Sequence, residues 1–234
     1  MEQLAIIIIL SYLVGSIPTS IIYSKYIRGI DIRQHGSGNA GGTNIFRVLG
    51  WKPGVGVILF DGLKGFFAVA VIARLYYDPV IPGSGTIIEE FTLVQIIAGA
   101  SAILGHIWTV FAGFKGGKGI ATAAGMLVGI APVEFAVSLI IFTIVLITSR
   151  VVSLGSISAA VAFPLTLLFR WNVFEVEIQD YSILVYFSIA IAILLIFTHR
   201  SNIKRLIKGT ENRLTSIPFM KNKKSSGQKE TQSS

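Results

Sequence analysis

Seven stretches of the chain are almost wholly apolar: residues 4–24, 53–77, 92–112, 119–130, 133–149, 151–169 and 182–198. At 1.5 Å rise per residue, a run of about 17 residues or more can cross a hydrocarbon core of about 30 Å. The stretch 119–130 is too short and reads as a half-helix entering from one side, a form tolerated where the backbone is buried in protein or lines a cavity. The pattern predicts an all-α integral membrane protein with about seven transmembrane segments, some short or half-spanning. Phosphate-binding cytoplasmic loops are expected between them.

Composition supports a bilayer protein. Of the 234 residues, 53% are hydrophobic and only 14% charged, with mean hydropathy +0.72. A soluble domain carries about 25% charged residues. With no cysteine present, disulfides, thiolate metal sites and a cysteine nucleophile are excluded. Met1-Glu2-Gln3 has no basic residue before the first apolar run, so residues 4–24 are expected to be a retained span rather than a cleaved signal.

The basic residues orient the chain. Residues 25–52, 113–118 and the tail after 198 hold 16 of the 20 lysines and arginines, which places all three in the cytoplasm and the N-terminus outside. The stretches 78–90, with Asp78, Glu89 and Glu90, and 175–180, with Glu175, Glu177 and Asp180, are acidic and belong on the other side. An odd number of crossings must separate 113–118 from 175–180. Either 119–130 runs outward, turns at Pro132 and is followed by two further crossings, or part of 119–169 is re-entrant. Residues 214–234 read as a basic, disordered tail.

Three polar loops carry the chemistry. The first, His35 to Gly50, packs four glycines between Gly36 and Gly42. Such a backbone can turn several N–H groups inward as an anion nest, especially where it opens a helix. Ser37, Gly38, Asn39, Gly41, Thr43 and Asn44 are its candidate phosphate donors, and Arg47 adds a planar fork suited to phosphate oxygens. The G-x-G-x-x-G match at Gly36 to Gly41 is not a dinucleotide site, because it follows a span rather than a strand. The second loop reads Gly113-Phe-Lys-Gly-Gly-Lys-Gly119. It lacks both the Walker A spacing and the hydroxyl residue that holds magnesium, so a nucleotide triphosphatase is unexpected. Lys115, Gly116, Gly117 and Lys118 before a helix still favour phosphate. In the third loop, His199 and Asn202 share one helical face at the membrane border.

Asp61 and Lys64 lie one helical turn apart inside the second apolar stretch. Either they neutralise each other, or Lys64 reaches a substrate phosphate while Asp61 orients it. His106, at the end of the third stretch, is expected to be structural. The residues at the fifth position after His35, His106 and His199 are Ala40, Phe111 and Lys204, so no His-x-x-x-x-Asp pair exists.

Together, Gly36 to Arg47, Asp61-Gly-Leu-Lys64-Gly, Gly105-His106 through Gly113 to Thr122, and His199-Arg-Ser-Asn202 with Lys208-Gly-Thr-Glu211 resemble the bacterial acyl-phosphate:glycerol-3-phosphate acyltransferase family, PlsY. The resemblance covers every span and all three motifs in order. It implies one transmembrane acyltransferase domain over residues 1–213. The implied reaction is transfer of a fatty acyl group from acyl phosphate to the sn-1 hydroxyl of glycerol 3-phosphate, the first acylation of phospholipid synthesis. It also implies that Ser37, Arg47, His199 and Asn202 are essential, that Lys115 and Lys118 bind substrate phosphate, and that Glu211 supports the site. Thr109 stands where members of that family often have proline, a departure expected to affect loop stiffness only.

Both substrates carry phosphate, the acyl chain needs lipid, and the phosphate leaving group is already activated. No cofactor, metal, nucleic acid or obligatory protein partner is therefore expected; the partners are the two substrates and the bilayer. His199 can act as a general base or as a hydrogen-bond donor to glycerol 3-phosphate, with the substrate's own phosphate taking the proton. The donor role is preferred, because nearby cations depress a histidine's basicity. The competing class is a transporter or channel for a phosphorylated solute, which inverted internal symmetry would favour; no such repeat is found.

Overall fold

The computed structural model describes residues 2–75 and 91–214, all helix and loop with no strand among them. The acidic stretch 78–90 and all but the first residue of the 214–234 tail lie outside the described residues. Ten helices follow in chain order. They are α1 (Glu2–Ser16), α2 (Thr19–Arg28), α3 (Gly42–Leu49), α4 (Trp51–Ala70), α5 (Phe91–Ile107), α6 (Ile120–Ile130), α7 (Pro132–Ser149), α8 (Val152–Asn172), α9 (Tyr181–Thr198) and α10 (Arg200–Ile207). Six units are long and apolar enough to cross a membrane: Glu2–Arg28, Trp51–Leu75, Phe91–Ala112, Pro132–Ser149, Val152–Asn172 and Tyr181–Thr198. The seventh apolar segment is α6, eleven residues long. All seven expected segments are therefore helical, and the short one is short.

The question of parity also resolves. Lys118, before α6, meets Asn202 after α9, and Leu214 N–H donates to the Arg150 carbonyl at the α7–α8 turn. These turns share one end of the bundle. Glu134, at the start of α7, pairs with Arg170 at the end of α8. Thus α6 leaves the shared end, α7 returns, α8 leaves and α9 returns. This is the arrangement with a turn at Pro132; the re-entrant alternative is not adopted. At the far end Trp171 stacks on Tyr181 with ring centroids 4.3 Å apart, as amphipathic aromatics do at a membrane border.

Small residues bring α1, α4, α5 and α6 into backbone contact. A Cβ on Gly15 of α1 would lie 2.1 Å from the Ala102 carbonyl oxygen of α5, and one on Gly105 would lie 2.2 Å from the Tyr12 carbonyl. In the α4–α6 pair, a Cβ on Gly65 would meet the Thr122 carbonyl at 1.9 Å, and one on Gly125 the Gly62 carbonyl at 1.7 Å. Within lipid there is little hydrophobic force between helices, so such close packing is what holds them. Between α8 and α9 bulky rings meet, with Phe163 and Phe187 edge to face at 6.4 Å, while a Cβ on Gly155 of α8 would lie 3.1 Å from the Phe142 carbonyl of α7.

The first span is broken at Pro18, which has no N–H to continue the ladder. The Ile17 carbonyl outside that ladder accepts from Lys64 Nζ at 2.5 Å, and the same ammonium pairs with Asp61 at 2.5 Å. Asp61 and Lys64 thus neutralise each other and stitch α4 to the break. The short amphipathic α3 packs flat on α4, with Gly42 against Ile58 and Gly54 against Phe46.

Candidate active site

A cavity of about 290 Å³ opens at the shared end and continues between the α4–α6 pair and α7–α9. Its mouth is polar and is built by all three loops: Ser37, Asn39, Gly41, Thr43, Arg47, Lys118, His199, Asn202 and Glu211 all line it. Further in, the walls are apolar, with Met126 and Leu127 from α6, Phe142 from α7, Ala160 and Phe163 from α8, and Ile191 from α9. Ile58 of α4 and Leu139 of α7 line the cavity and are also 40% and 48% exposed. The side wall therefore reaches the lipid-facing surface between α4 and α7.

The mouth is a hydrogen-bonded array. Lys118 Nζ donates to Asn202 Oδ1. Asn202 Nδ2 donates to Glu211 at 2.9 Å, and Arg205 Nε donates to the other Glu211 oxygen at 2.7 Å. The arginine and asparagine bonds lower the Glu211 pKa against the opposing effect of burial, which is the largest single influence on it. Arg47 reaches in from α3, touching the Asn212 carbonyl at 3.4 Å through Nη2. Its Nε is buried with no hydrogen-bond partner among the described residues. Three cations, Arg47, Lys118 and Arg205, thus surround one carboxylate. A buried guanidinium nitrogen without a partner in such a place is suited to an anion. Burial also lowers Lys118 to about 8, with Arg205 and Arg47 adding to the effect and Glu211 opposing it. The first-turn N–H groups of α3, at Gly42 and Thr43, face the same mouth and favour negative charge.

His199 is 3% exposed. Its Nδ1 lies 2.8 Å from the Leu195 carbonyl. A carbonyl only accepts, so Nδ1 carries the hydrogen, and in the neutral ring Nε2 is an acceptor. Burial, then Lys118, holds the pKa down to about 4, so the ring is neutral at physiological pH. In that state Nε2 can accept a hydrogen bond but has no hydrogen to give, so the donor role requires the protonated ring.

Several residues expected to bind phosphate do other work. Asn44 is fully engaged in shaping its own loop: Oδ1 accepts from Ser37 N–H at 2.9 Å, and Nδ2 donates to the carbonyls of Ile32, His35 and Asn39. Gly38 has φ +72 and donates to the His35 carbonyl, so it turns the chain and lies outside the cavity wall. Gly116 and Gly117 N–H groups donate to the Ile107 and His106 carbonyls at the end of α5. A Cβ on Gly117 would sit 2.2 Å from His106 Nε2, so these glycines are there to let the loop lie flush on α5. Lys115 is exposed and does not line the cavity. Lys64 is held by Asp61 and Ile17, away from the mouth. Asp61 itself does line the cavity, with His106 Nδ1 3.6 Å from its carboxylate.

Other residues tie the loops together. Arg33 chelates Asp31 at 2.7 Å and donates to the Ala112 carbonyl at 2.9 Å, joining the first loop to the second. That pairing holds Asp31 down at about 2. Thr109 is buried and its hydroxyl donates to the Ser16 carbonyl, a bond that proline cannot make. Sequence reasoning missed the α8 stripe of Ser153, Ser156, Ala160 and Phe163. Its helical spacing was a usable signal, hidden because the whole segment is apolar.

A family profile described as glycerol-3-phosphate acyltransferase matches residues 5–209. The glycerol-3-phosphate acyltransferase of Chlorobium phaeobacteroides (strain DSM 266) is 48% identical over 92% of this chain and 97% of its own length. That of Chlorobaculum tepidum is 50% identical over 89% of this chain and 95% of its own. A crystal structure of PlsY, an integral membrane glycerol 3-phosphate acyltransferase, in the glycerol 3-phosphate form has a TM-score of 0.74 at 35% identity, covering 90% of this chain and 95% of that one. The lysophosphatidic acid form gives 0.72 at 34%, covering 90% and 94%. A cationic mouth joined to an apolar gallery in a helical membrane bundle suits a phosphorylated acceptor and a lipid product, and on these matches the chain belongs to the glycerol-3-phosphate acyltransferase (PlsY) family.

Proposed function

We propose that this protein moves a fatty acyl group from acyl phosphate to the sn-1 hydroxyl of glycerol 3-phosphate, giving 1-acyl-glycerol 3-phosphate and inorganic phosphate. The reaction takes place at the cytoplasmic face of the bacterial inner membrane. The observation that carries this is the continuity of one cavity, from the Arg47–Lys118 mouth to the apolar gallery of α6–α9, with His199 at the junction. A phosphate at the mouth and an acyl chain in the gallery set the carbonyl carbon beside His199.

The chemistry then needs little beyond placement and charge. Arg47, Lys118 and the α3 N-terminus hold phosphate oxygens, and Ser37, Asn39 and Thr43 shape the same pocket. Asn202, fixed by Glu211, orients Lys118. His199 Nε2 accepts the sn-1 hydroxyl hydrogen. Bound phosphate dianions raise the ring's basicity, because negative charge favours imidazolium. The hydroxyl oxygen attacks the carbonyl carbon, the carbon–oxygen bond to phosphate breaks, and the proton on His199 passes to the departing phosphate. Positioning and preorganised positive charge supply most of the acceleration.

The test is incubation of purified protein with acyl phosphate and glycerol 3-phosphate. Phosphate release matched by lipid product is expected, with acyl-coenzyme A refused as sole donor. Uptake of glycerol 3-phosphate into vesicles without product would instead support a transporter. Cysteines introduced at the exposed positions 35 and 115 should resist labelling from outside intact cells; labelling there would place the site on the wrong face.

A further inference from the structure

The geometry points to Phe163 of α8 and Phe187 of α9, with Phe135 of α7 beside them, as the floor of the gallery and the element that sets the length of acyl chain accepted. The inference rests on the proposed acyl transfer and adds what selects among donors. Along α9 the cavity is lined by Phe187, Ile191, Leu195 and His199, and along α8 by Ser153, Ser156, Ala160 and Phe163. Beyond the phenylalanines it stops. Leu167, one turn past Phe163, is 0% exposed and Leu184, one turn before Phe187, is 4% exposed. Neither lines the cavity; both belong to the packed core, with Phe135 against them. Phe163 and Phe187 meet edge to face at 6.4 Å and 69°, a stable contact that a chain methyl would have to displace.

The depth can be read from the helix. Phe187 and His199 are twelve residues apart, or about 18 Å at helical rise. An extended alkyl chain advances about 1.3 Å per carbon, given tetrahedral carbons about 1.5 Å apart. The gallery therefore accommodates a chain of about fourteen carbons when its carbonyl lies by His199. The walls above the floor are small on the α8 side, where Ser156, Ala159 and Ala160 leave the width a chain needs.

The experiment is a rate profile over a series of acyl phosphates from ten to eighteen carbons, each with glycerol 3-phosphate, for the wild type and three variants. Phe187→Ala should move the optimum to longer chains, and Phe163→Leu should move it less in the same direction. Ala159→Phe, which places a ring about 6 Å above Phe163 along α8, should move it to shorter chains. The expected change in the ratio of eighteen- to fourteen-carbon rates is about tenfold or more in each direction, the scale of discrimination by a methylene or two in an apolar pocket. Active variants with unshifted optima would overturn the assignment. So would a floor variant that shortens the preference. If Phe187→Ala does not fold, Phe163→Leu and Ala159→Phe still decide the matter. Failure of the wild type to turn over any acyl phosphate would sink the functional reading instead, so the two failures are distinct.

Discussion

The two halves of the bundle are built on different rules. The span Phe91–Ala112 is largely buried, whereas only 11% of α7 is, its buried residues being Glu134 and Ser138. The α1–α6 half is locked backbone to backbone at glycine notches and carries the first two loops. In the α7–α9 half the glycine contact is looser, with a Cβ on Gly155 3.1 Å from the Phe142 carbonyl, α8 and α9 meet through Phe163 and Phe187, and α7 leaves most of its surface outward. The half that must hold phosphate geometry tolerates no shift, since a misplacement of about 1 Å can cost about a hundredfold in rate. The half that receives a floppy chain needs only the right width. The third loop, after α9, brings His199 and Asn202 across to the rigid half through Lys118.

The comparison is sharpened first at the junction. His199→Gln should lower kcat by about 10²–10⁴, the size of a lost general base, with little change in KM for glycerol 3-phosphate. If turnover is largely retained and only KM rises, the histidine is a binding donor and the proton goes elsewhere. Next comes the rigid half. Arg47→Lys keeps the charge and loses the fork, and should reduce kcat/KM by about 10²–10³. Steady-state kinetics on both substrates would show which phosphate it holds.

The packing contrast itself is tested by stability. Gly125→Ala adds one carbon where 1.7 Å separates the site from the Gly62 carbonyl. It should destabilise by about 1–3 kcal/mol, whereas Leu139→Met in the other half should cost less than about 1.5 kcal/mol. Thermal unfolding in detergent reads both, and equal costs would erase the distinction between the halves.

The smallest effect is in pH. Burial holds Lys118 at about 8, below a free lysine, so its charge is present at neutral pH and is lost as pH rises through that value. kcat/KM should fall on that alkaline limb. The limb in kcat should lie higher, because bound phosphate raises the lysine's pKa. Lys118→Arg should remove the limb, whatever its effect on rate; a limb unchanged in that variant would assign it to another group.

Much of this architecture was legible because hydropathy and loop charge are governed by the bilayer, which acts on every residue in the same way. The short α6 followed from length alone, whereas the turn at Pro132 and a re-entrant path share one parity and only the packing of α6–α9 separates them. The loops were harder. Glycine and asparagine can serve a ligand or the chain's own backbone, and only three dimensions show that Asn44 serves its loop and that Gly117 serves His106. Lys64 was open to two readings, since the Ile17 carbonyl it caps is freed by a proline far away in sequence. The apolar gallery was invisible, because in a chain this hydrophobic the residues that line a cavity and those that face lipid look alike.

The opening between α4 and α7 has a consequence for how rate depends on supply. Glycerol 3-phosphate arrives through water, and its availability is a molarity. An acyl chain arriving past Ile58 and Leu139 comes sideways out of one leaflet, and its availability is a mole fraction of that surface. Adding inert lipid at fixed total volume should therefore slow the enzyme by thinning one substrate while leaving the other untouched. Under the proposed reaction the product, still anchored by one tail, would leave by the same sideways route without entering solution.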